Sequence, residues 1–485
     1  MHMSYVQCLR HSDEYGSLRK AAKSGLVKRL GVLEALPVPP DVVIVDTSQL
    51  FYHIVWPHGG SPTDLIASIQ GRLSHYPFGT EKILVFDKYH DVSAKDHERM
   101  RRAGEVIIDY ELSITSSLPK RDAILKSKNN KRKLASVLHT FSLGESYRMD
   151  TADDGAFGHD EADITMISYV LEAANSDKAV IRVLSDDTDV FVLLVYWVYR
   201  AQLECKVQME RWDGTVLEIN ATCANLGPKC LQLLGMHALS GCDTTSYAFG
   251  KGKVTALKTL LAGHFSGLAD VLGEVGNSEA YLMEAAIPFI LALYGQLPGT
   301  SMESARFMLF TKKKKSPKVM ALPPTTKNLL QHVLRAHLQV MLWKAADHQA
   351  PPAESSNITN FGWHVTDGIP TPVLDQGDPA PPELIDVIRC QCRAQGKKCS
   401  TEACGCHKEH ISCTSYCNCS GEEGCCNPHT RRRQDDQTGD VEEDDFGDGE
   451  EDDSSEEDVI ELQAAAEEYD DHEVIDSVNL DDEWE

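Results

Sequence analysis

Residues 179–199, AVIRVLSDDTDVFVLLVYWVY, decide the fold. The first six are apolar and rich in β-branching, with Arg182 the one exception, and they stop at Ser185-Asp186-Asp187-Thr188-Asp189. A short run without polar alternation reads as a strand buried on both faces of a parallel sheet. Two similar runs precede it: 41–45 (DVVIV), which stops at Asp46, and 82–86 (KILVF), which stops at Asp87. Helical patterns such as 162–174 (ADITMISYVLEAA) lie between them. Strands alternating with helices build βαβ units. The expected body is α/β, a mostly parallel sheet flanked by helices over residues 41–346. Within it, 283–297 (MEAAIPFILALYGQL) reads as a core helix carrying a proline, and 327–346 as the helix that closes the domain.

The chain has 485 residues, enough for two to four structural units. Its net charge of −27 is concentrated: residues 434–485 hold 26 of the 74 acids and no Lys or Arg. The remainder carries 48 acids against 47 bases, so the low pI does not argue against a nucleic-acid partner. The longest apolar run, 190–199, is half the ~20 residues that a membrane span needs. The first residues, MHMSYVQCLRHSDEYG, carry charge where a secretion signal needs an apolar core. Neither a membrane protein nor a secreted one is expected. Around the body we expect an N-terminal extension (1–40), a Pro/Gly/Asp-rich linker (347–387) with a small packed patch at Phe361, Gly362, Trp363 and His364, a cysteine module (388–428), and an acidic tail (429–485) that is disordered because it buries too little apolar surface.

The strand-ending acids carry chemistry. In an open parallel sheet the carboxyl ends of the strands form the ligand crevice. Asp46, Asp87, Asp187 and Asp189 end strands, Glu161 and Asp163 (HDEAD) open a helix, and Asp243 (ALSGCDTTS) follows another apolar run. Seven carboxylates cannot converge without counter-charge, because like charges raise one another's pKa. Hard divalent cations supply it. Two Mg²⁺ or Mn²⁺ ions about 4 Å apart are a device for hydrolysing phosphodiesters. The plainer reading of each acid alone is a helix cap or a solvated strand end.

In order and spacing these motifs resemble the structure-specific 5′-nucleases of the flap endonuclease type, within the PIN-like superfamily, over residues 40–300. The resemblance rests on Asp46 in IVDTSQLFY, Phe86-Asp87, Glu161-Ala162-Asp163, Asp187-Thr188-Asp189 and Gly241-Cys242-Asp243. It implies a two-metal site of Asp46, Asp87, Glu161, Asp163, Asp187, Asp189 and Asp243. It also implies an arch between the second and third motifs. Here 95–145 is the arch-like insertion, and 95–133 holds eleven Lys and Arg against six acids. Lys95 and Arg102 stand where the family places its phosphate-contacting Lys and Arg, with Arg99 and Arg101 as rivals. Gly250-Lys251-Gly252-Lys253 sits where the family's glycine turn meets a duplex phosphate. The forty residues before Asp46 depart from the family, whose members start close to their first strand. The phrases FDKYHDVSAKDHERMRR, VLSDDTDVFVLL and ALSGCDTTSYAFGKGK also resemble a group of transposon-associated animal proteins that often end in a CXC module.

Ten of the fifteen cysteines lie between 390 and 426: Cys390, Cys392, Cys399, Cys404, Cys406, Cys413, Cys417, Cys419, Cys425 and Cys426. Without a secretion signal such a cluster reads as metal ligands, not disulfides. Repeated Cys-x-Cys pairs suit a shared cluster with bridging thiolates. The other five (Cys8, Cys205, Cys223, Cys230 and Cys242) read as small semi-buried hydrophobes. The module resembles the tesmin-type CXC domain, which implies three Zn²⁺ ions on nine cysteines and contact with DNA. That leaves one thiol spare, either Cys425 or Cys426. Tyr416, Lys397, Lys398, Lys408 and Arg431–Arg433 add DNA-binding character; the alternative is a purely structural zinc staple. The lysine run 312–315 reads either as an import signal or as a solvated loop.

Together these point to a metal-dependent nuclease acting on DNA, with RNA as the alternative, in the nucleus, with the cytoplasm as the alternative. Two other classes stay open: a DNA- or chromatin-binding scaffold without catalysis, and a zinc-dependent protein adaptor.

Overall fold

The computed structural model describes residues 23–88, 93–95, 108–297, 299–312, 321–366, 368–373, 390–392, 398–408, 413, 417–419 and 425–429. Arg99, Arg101, Arg102, Lys397, Tyr416, Arg431–Arg433, the lysines at 313–315 and the acidic stretch lie outside these residues. The chain divides into two units, Met1–Arg431 and Arg432–Glu485, and every described residue belongs to the first.

The first unit is built on a six-stranded sheet: β1 (Val42–Asp46), β2 (Glu81–Val85), β3 (Tyr147–Asp150), β4 (Val180–Leu184), β5 (Lys206–Glu210) and β6 (Val216–Glu218). Its order is β3-β2-β1-β4-β5-β6. The first five strands run parallel and β6 closes the edge antiparallel. The expected α/β class, a mostly parallel sheet flanked by helices, is the observed one.

Side-chain alternation splits the sheet between two cores. Val42, Ile44, Ile83, Val85, Ile181 and Val183 join one cluster, whereas Val43, Val45 and Leu84 join the other. The first core is covered by α1 (Ala162–Asn175), α2 (Thr188–Arg200) and α3 (Thr326–Lys344). The second is covered by helices Pro62–Leu73 and Lys128–His139. Helix α2 is buried from Thr188 to Val198. That explains its unbroken apolar sequence, since a helix apolar all round belongs inside a core. Among the described residues no helix is long and apolar enough to cross a membrane. The expected proline-bearing core helix is Glu279–Leu293, with Pro288 on its exposed side.

The stretch 347–387, expected to be a linker, needs correction over 347–373. Its described part holds two 3₁₀ turns and a hairpin of β7 (Trp363–Thr366) and β8 (Ile369–Pro372). Trp363 and Phe361 pack with Ala94, Leu338 and Met341, and Arg335 donates to the carbonyl of Gly362 at 3.0 Å. Upstream, Gly158 N–H donates to the carbonyl of Gln349 at 2.6 Å, and Ser168 Oγ to that of Ala346 at 2.7 Å. Composition alone read these residues as a linker; their aromatic side chains make them a brace against α3 and the loop before Glu161.

Candidate metal centre

The crevice lies at the carboxyl ends of β1, β2 and β4. Strand order reverses about β1, since β1 is followed in sequence by β2 on one side and is paired with β4 on the other. Ligands in such sheets bind at that switch point. Asp46 is the last residue of β1 and also caps the next turn, accepting from Gln49 N–H at 3.1 Å. Asp187 caps α2, accepting from Asp189 N–H at 2.8 Å. Asp87, two residues beyond β2, accepts from Ala162 N–H at 3.0 Å and so ties itself to the start of α1. Several acids are therefore helix caps, as the plainer reading supposed. The same caps aim them into one pocket.

Asp243 arrives from a different direction. Gly241 has φ +101°, and a Cβ there would meet the backbone of Tyr247 at 3.0 Å, so only glycine makes this turn. The loop is pinned by Thr245, whose hydroxyl accepts from Cys242 N–H at 2.9 Å. Thr244 donates to Gln339 Oε1 at 2.7 Å, and Gln339 Nε2 donates to Glu161 Oε2 at 3.4 Å. Helix α3 thus bridges the Asp243 loop and the Glu161 loop.

Two ammonium groups stand among the acids. Lys95 Nζ lies 3.1 Å from Glu161 Oε2 and 2.9 Å from Asp163 Oδ2. Lys23 Nζ lies 2.8 Å from Asp189 Oδ2 and 2.7 Å from Asp243 Oδ1. His237, fully buried, reaches Asp189 Oδ1 with Nε2 at 2.7 Å. Burial, then Lys253 nearby, depress the imidazole pKa to about 4, so His237 is neutral and Nε2 donates to the carboxylate.

The electrostatics tie the acids together. Burial, then the charges of Asp163 and Asp87, lift Asp46 to about 7. Burial, Asp189 and Asp163 hold Asp187 well above the ordinary range. Burial also opposes ionisation of Asp189, but Lys23 and His237 outweigh it and keep this acid well below that range. Asp243 is likewise depressed by Lys23 against its burial. Asp163 is raised by burial, and Lys95 offsets only part of that. Shared lysines tie Glu161 to Asp163 and Asp189 to Asp243, and the Ala162 cap brings Asp87 to the start of α1. Among the described residues, the sets of three or more potential ligand atoms lying within 4.8 Å of one another are all sets of thiols.

Lys95 sits in the pocket, and Arg102 lies outside the described residues. For the glycine turn the expectation is corrected at Lys253. This side chain is 2% exposed and turns inward to the carbonyl of His237 and to Ser240 Oγ at 3.1 Å, so it cannot meet a duplex. Burial lowers its pKa to about 7. Gly250 (φ +68°) is at the surface with Gly252 partly exposed, and Lys251 Nζ lies over the Tyr294 ring, 5.5 Å from its centre. Sequence reasoning missed Lys23, His237 and Gln339. No local motif surrounds Lys23 in AAKSGLVKRL, and a single His or Gln inside an apolar helix gives no signal.

The thiols gather separately. Four sets of four could hold metal ions: Cys390, Cys392, Cys399 and Cys404; Cys390, Cys413, Cys417 and Cys419; Cys390, Cys404, Cys406 and Cys413; and Cys399, Cys413, Cys419 and Cys425. Within each set the sulfurs lie within 4.8 Å of one another, and some pairs are closer, such as Cys390–Cys413 and Cys404–Cys413 at 3.9 Å. A tetrahedral ion with Zn–S bonds of ~2.3 Å needs ligand sulfurs ~3.8 Å apart. Any two of these sets share at least one thiol, so two or more ions would have to be bridged. Cys426 is exposed and belongs to no set, so the spare thiol is Cys426 and its place among the ligands is corrected. Asn427 donates its amide to Cys413 Sγ at 3.2 Å.

No family model matches the sequence, and no curated protein matches it. Among solved structures the chain is similar to a T5 protein co-crystallised with metal ions: 14% identity, 63% of this chain and 90% of that chain covered, TM-score 0.34. It is also similar to T5 5′-exonuclease with bound divalent zinc ions: 14% identity, the same 63% and 90% coverage, TM-score 0.31. Both likenesses are remote, and the site is judged on its own geometry.

Proposed function

We propose that the chain is a divalent-metal-dependent nuclease that hydrolyses DNA phosphodiesters. What supports this reading is that two lysines and one helix cap tie Asp87, Glu161, Asp163, Asp189 and Asp243 together, with Asp46 and Asp187 at the adjoining ends of β1 and β4; we take all seven as the ligand set. The donor set suits hard divalent ions, being carboxylate oxygen throughout. Burial first, then neighbouring carboxylates, hold Asp46 and Asp187 above their ordinary range, and added positive charge would relieve both. Two Mg²⁺ or Mn²⁺ ions in such a set supply hydroxide at neutral pH and stabilise charge on the attacking and leaving oxygens. Lys95, at the start of the arch-like segment, reaches the acids, and it orients the scissile phosphate. Neutral His237 fixes the orientation of Asp189, and Gln339 that of Glu161, as partners behind metal ligands do. The surface turn at Gly250, Lys251 and Gly252 offers backbone N–H groups to duplex phosphate. The thiol cluster holds zinc and tethers the enzyme to DNA, in keeping with work in the nucleus.

One observation favours a second reading. Lys23 and Lys95 already pair with four of the acids and offset part of their charge, as they would in a DNA-binding scaffold that has no use for metal. Purified zinc-loaded protein, incubated with Mg²⁺ or Mn²⁺ and a panel of branched DNAs, separates the two. Cleavage that falls about 10³-fold in Asp187→Ala supports the nuclease. Tight binding without cleavage supports the scaffold, and absence of DNA binding removes both.

A further inference from the structure

Lys23 has no part in the reading above except as an obstacle. Its side chain is one-fifth exposed and its ammonium touches two carboxylates, one from the start of α2 and one from the Gly241 loop. It is carried by the segment leading into the helix Gly25–Leu30, which is anchored by buried Leu26 and passes Val254 so closely that a Cβ on Gly25 would come within 3.0 Å of it. The ammonium is therefore held in place by the fold. A divalent ion drawing on Asp189 and Asp243 needs the oxygens that Lys23 now holds.

We infer that Lys23 is a built-in counter-ion of the metal-free pocket, and that a divalent cation binds by displacing its ammonium. This rests on the metal-site reading and adds a competitor to it. In the metal-free protein Lys23 keeps Asp189 and Asp243 from repelling each other and the neighbouring Asp187. When the cation arrives, two positive centres at the same pair of oxygens repel each other at close range, so the lysine swings out. Metal affinity is thus set below what the carboxylates alone would give, and occupancy of the pocket is coupled to the position of residue 23.

The test uses the full-length, zinc-loaded protein, so that the thiols are already filled. Mn²⁺ binding is measured by calorimetry for wild type, Lys23→Met and Lys23→Arg. Lys23→Met is expected to bind Mn²⁺ about tenfold more tightly, and Lys23→Arg to stay within about threefold of wild type. In EDTA Lys23→Met is expected to melt below wild type, and Mn²⁺ to close the gap. Should Lys23→Met misfold without metal, the wild type supplies an independent measurement. Acylation of Lys23 by an amine-reactive ester, read by peptide mass spectrometry, should rise severalfold on adding Mn²⁺. Equal or weaker Mn²⁺ binding by a folded Lys23→Met, or labelling of Lys23 that ignores Mn²⁺, overturns the inference while leaving the metal site standing. No Mn²⁺ uptake by any of the three proteins overturns both.

Discussion

Around the acids the sheet supplies the geometry, whereas among the described residues the buried cluster around the thiols is made of the thiols themselves. The carboxylates sit at the ends of strands whose cores are filled by Val, Ile and Leu, and the pocket they form works against their own charge. In the cysteine module the buried apolar cluster consists of Cys390, Cys392, Cys399, Cys404, Cys406, Cys413, Cys417 and Cys425, with Cys419 packed against them. One region has a scaffold that stands before any ion binds. In the other, the ligands are themselves the core. On the proposed reading the first keeps its fold without metal, at an electrostatic cost that lysines lessen, whereas the second does not, because a core made of ligands folds only as it binds its ion.

The most forceful way to break this comparison is to remove a thiol. Cys413 belongs to three of the four sets, so Cys413→Ser should collapse the module. Structural zinc contributes ~10–16 kcal/mol in small domains, so the loss should be nearly complete. Zinc stoichiometry should drop and residues 390–429 should become protease-sensitive, while far-UV dichroism of the body is unchanged. A chelator should do the same to wild type. A module that stays protease-resistant without zinc would end the distinction.

A smaller effect probes the scaffold. Trp363 is 1% exposed and packs with Ala94, the neighbour of Lys95. Trp363→Ala should cost about 3–5 kcal/mol in denaturant unfolding of the body. It should also weaken cleavage by loosening Lys95, while zinc content stays constant.

A pH series sharpens the electrostatic half. Asp46 titrates near 7 in the folded pocket, above its ordinary value of 3.8. Between those values the folded state holds a proton that the unfolded state has lost, so this acid's contribution to stability falls as pH rises towards 7. In EDTA, Asp46→Asn should gain on wild type between pH 4 and pH 7 and level off above, as read from melting temperatures. An Asn variant whose difference from wild type does not change with pH would show that the pocket does not crowd its charges. At the bottom of the scale, Cys426→Ser should leave zinc stoichiometry and protease resistance unchanged, because this thiol lies outside every set.

Much of the body was legible in the sequence. The β-branched runs became β1, β2 and β4 within one residue of their expected bounds, and 162–174 became α1. The reason is local: a strand buried on both faces must be apolar at successive positions, and where it emerges the chain turns polar. The acids at those ends, and the Cys-x-Cys spacing of the module, were visible for the same reason.

What joins distant segments was decided only by the tertiary structure. Lys23 meets Asp189 and Asp243 across 166 and 220 positions, and His237 reaches Asp189 across 48. Nothing in the residues beside Lys23 or His237 marks those partners. The inward turn of Lys253, the exclusion of Cys426 and the bracing role of 347–373 are of the same kind. A sequence fixes the period with which side chains alternate between core and solvent, and so the elements. Which buried charge neutralises which depends on how packed helices and strands bring separate surfaces together, and that is a property of the whole fold.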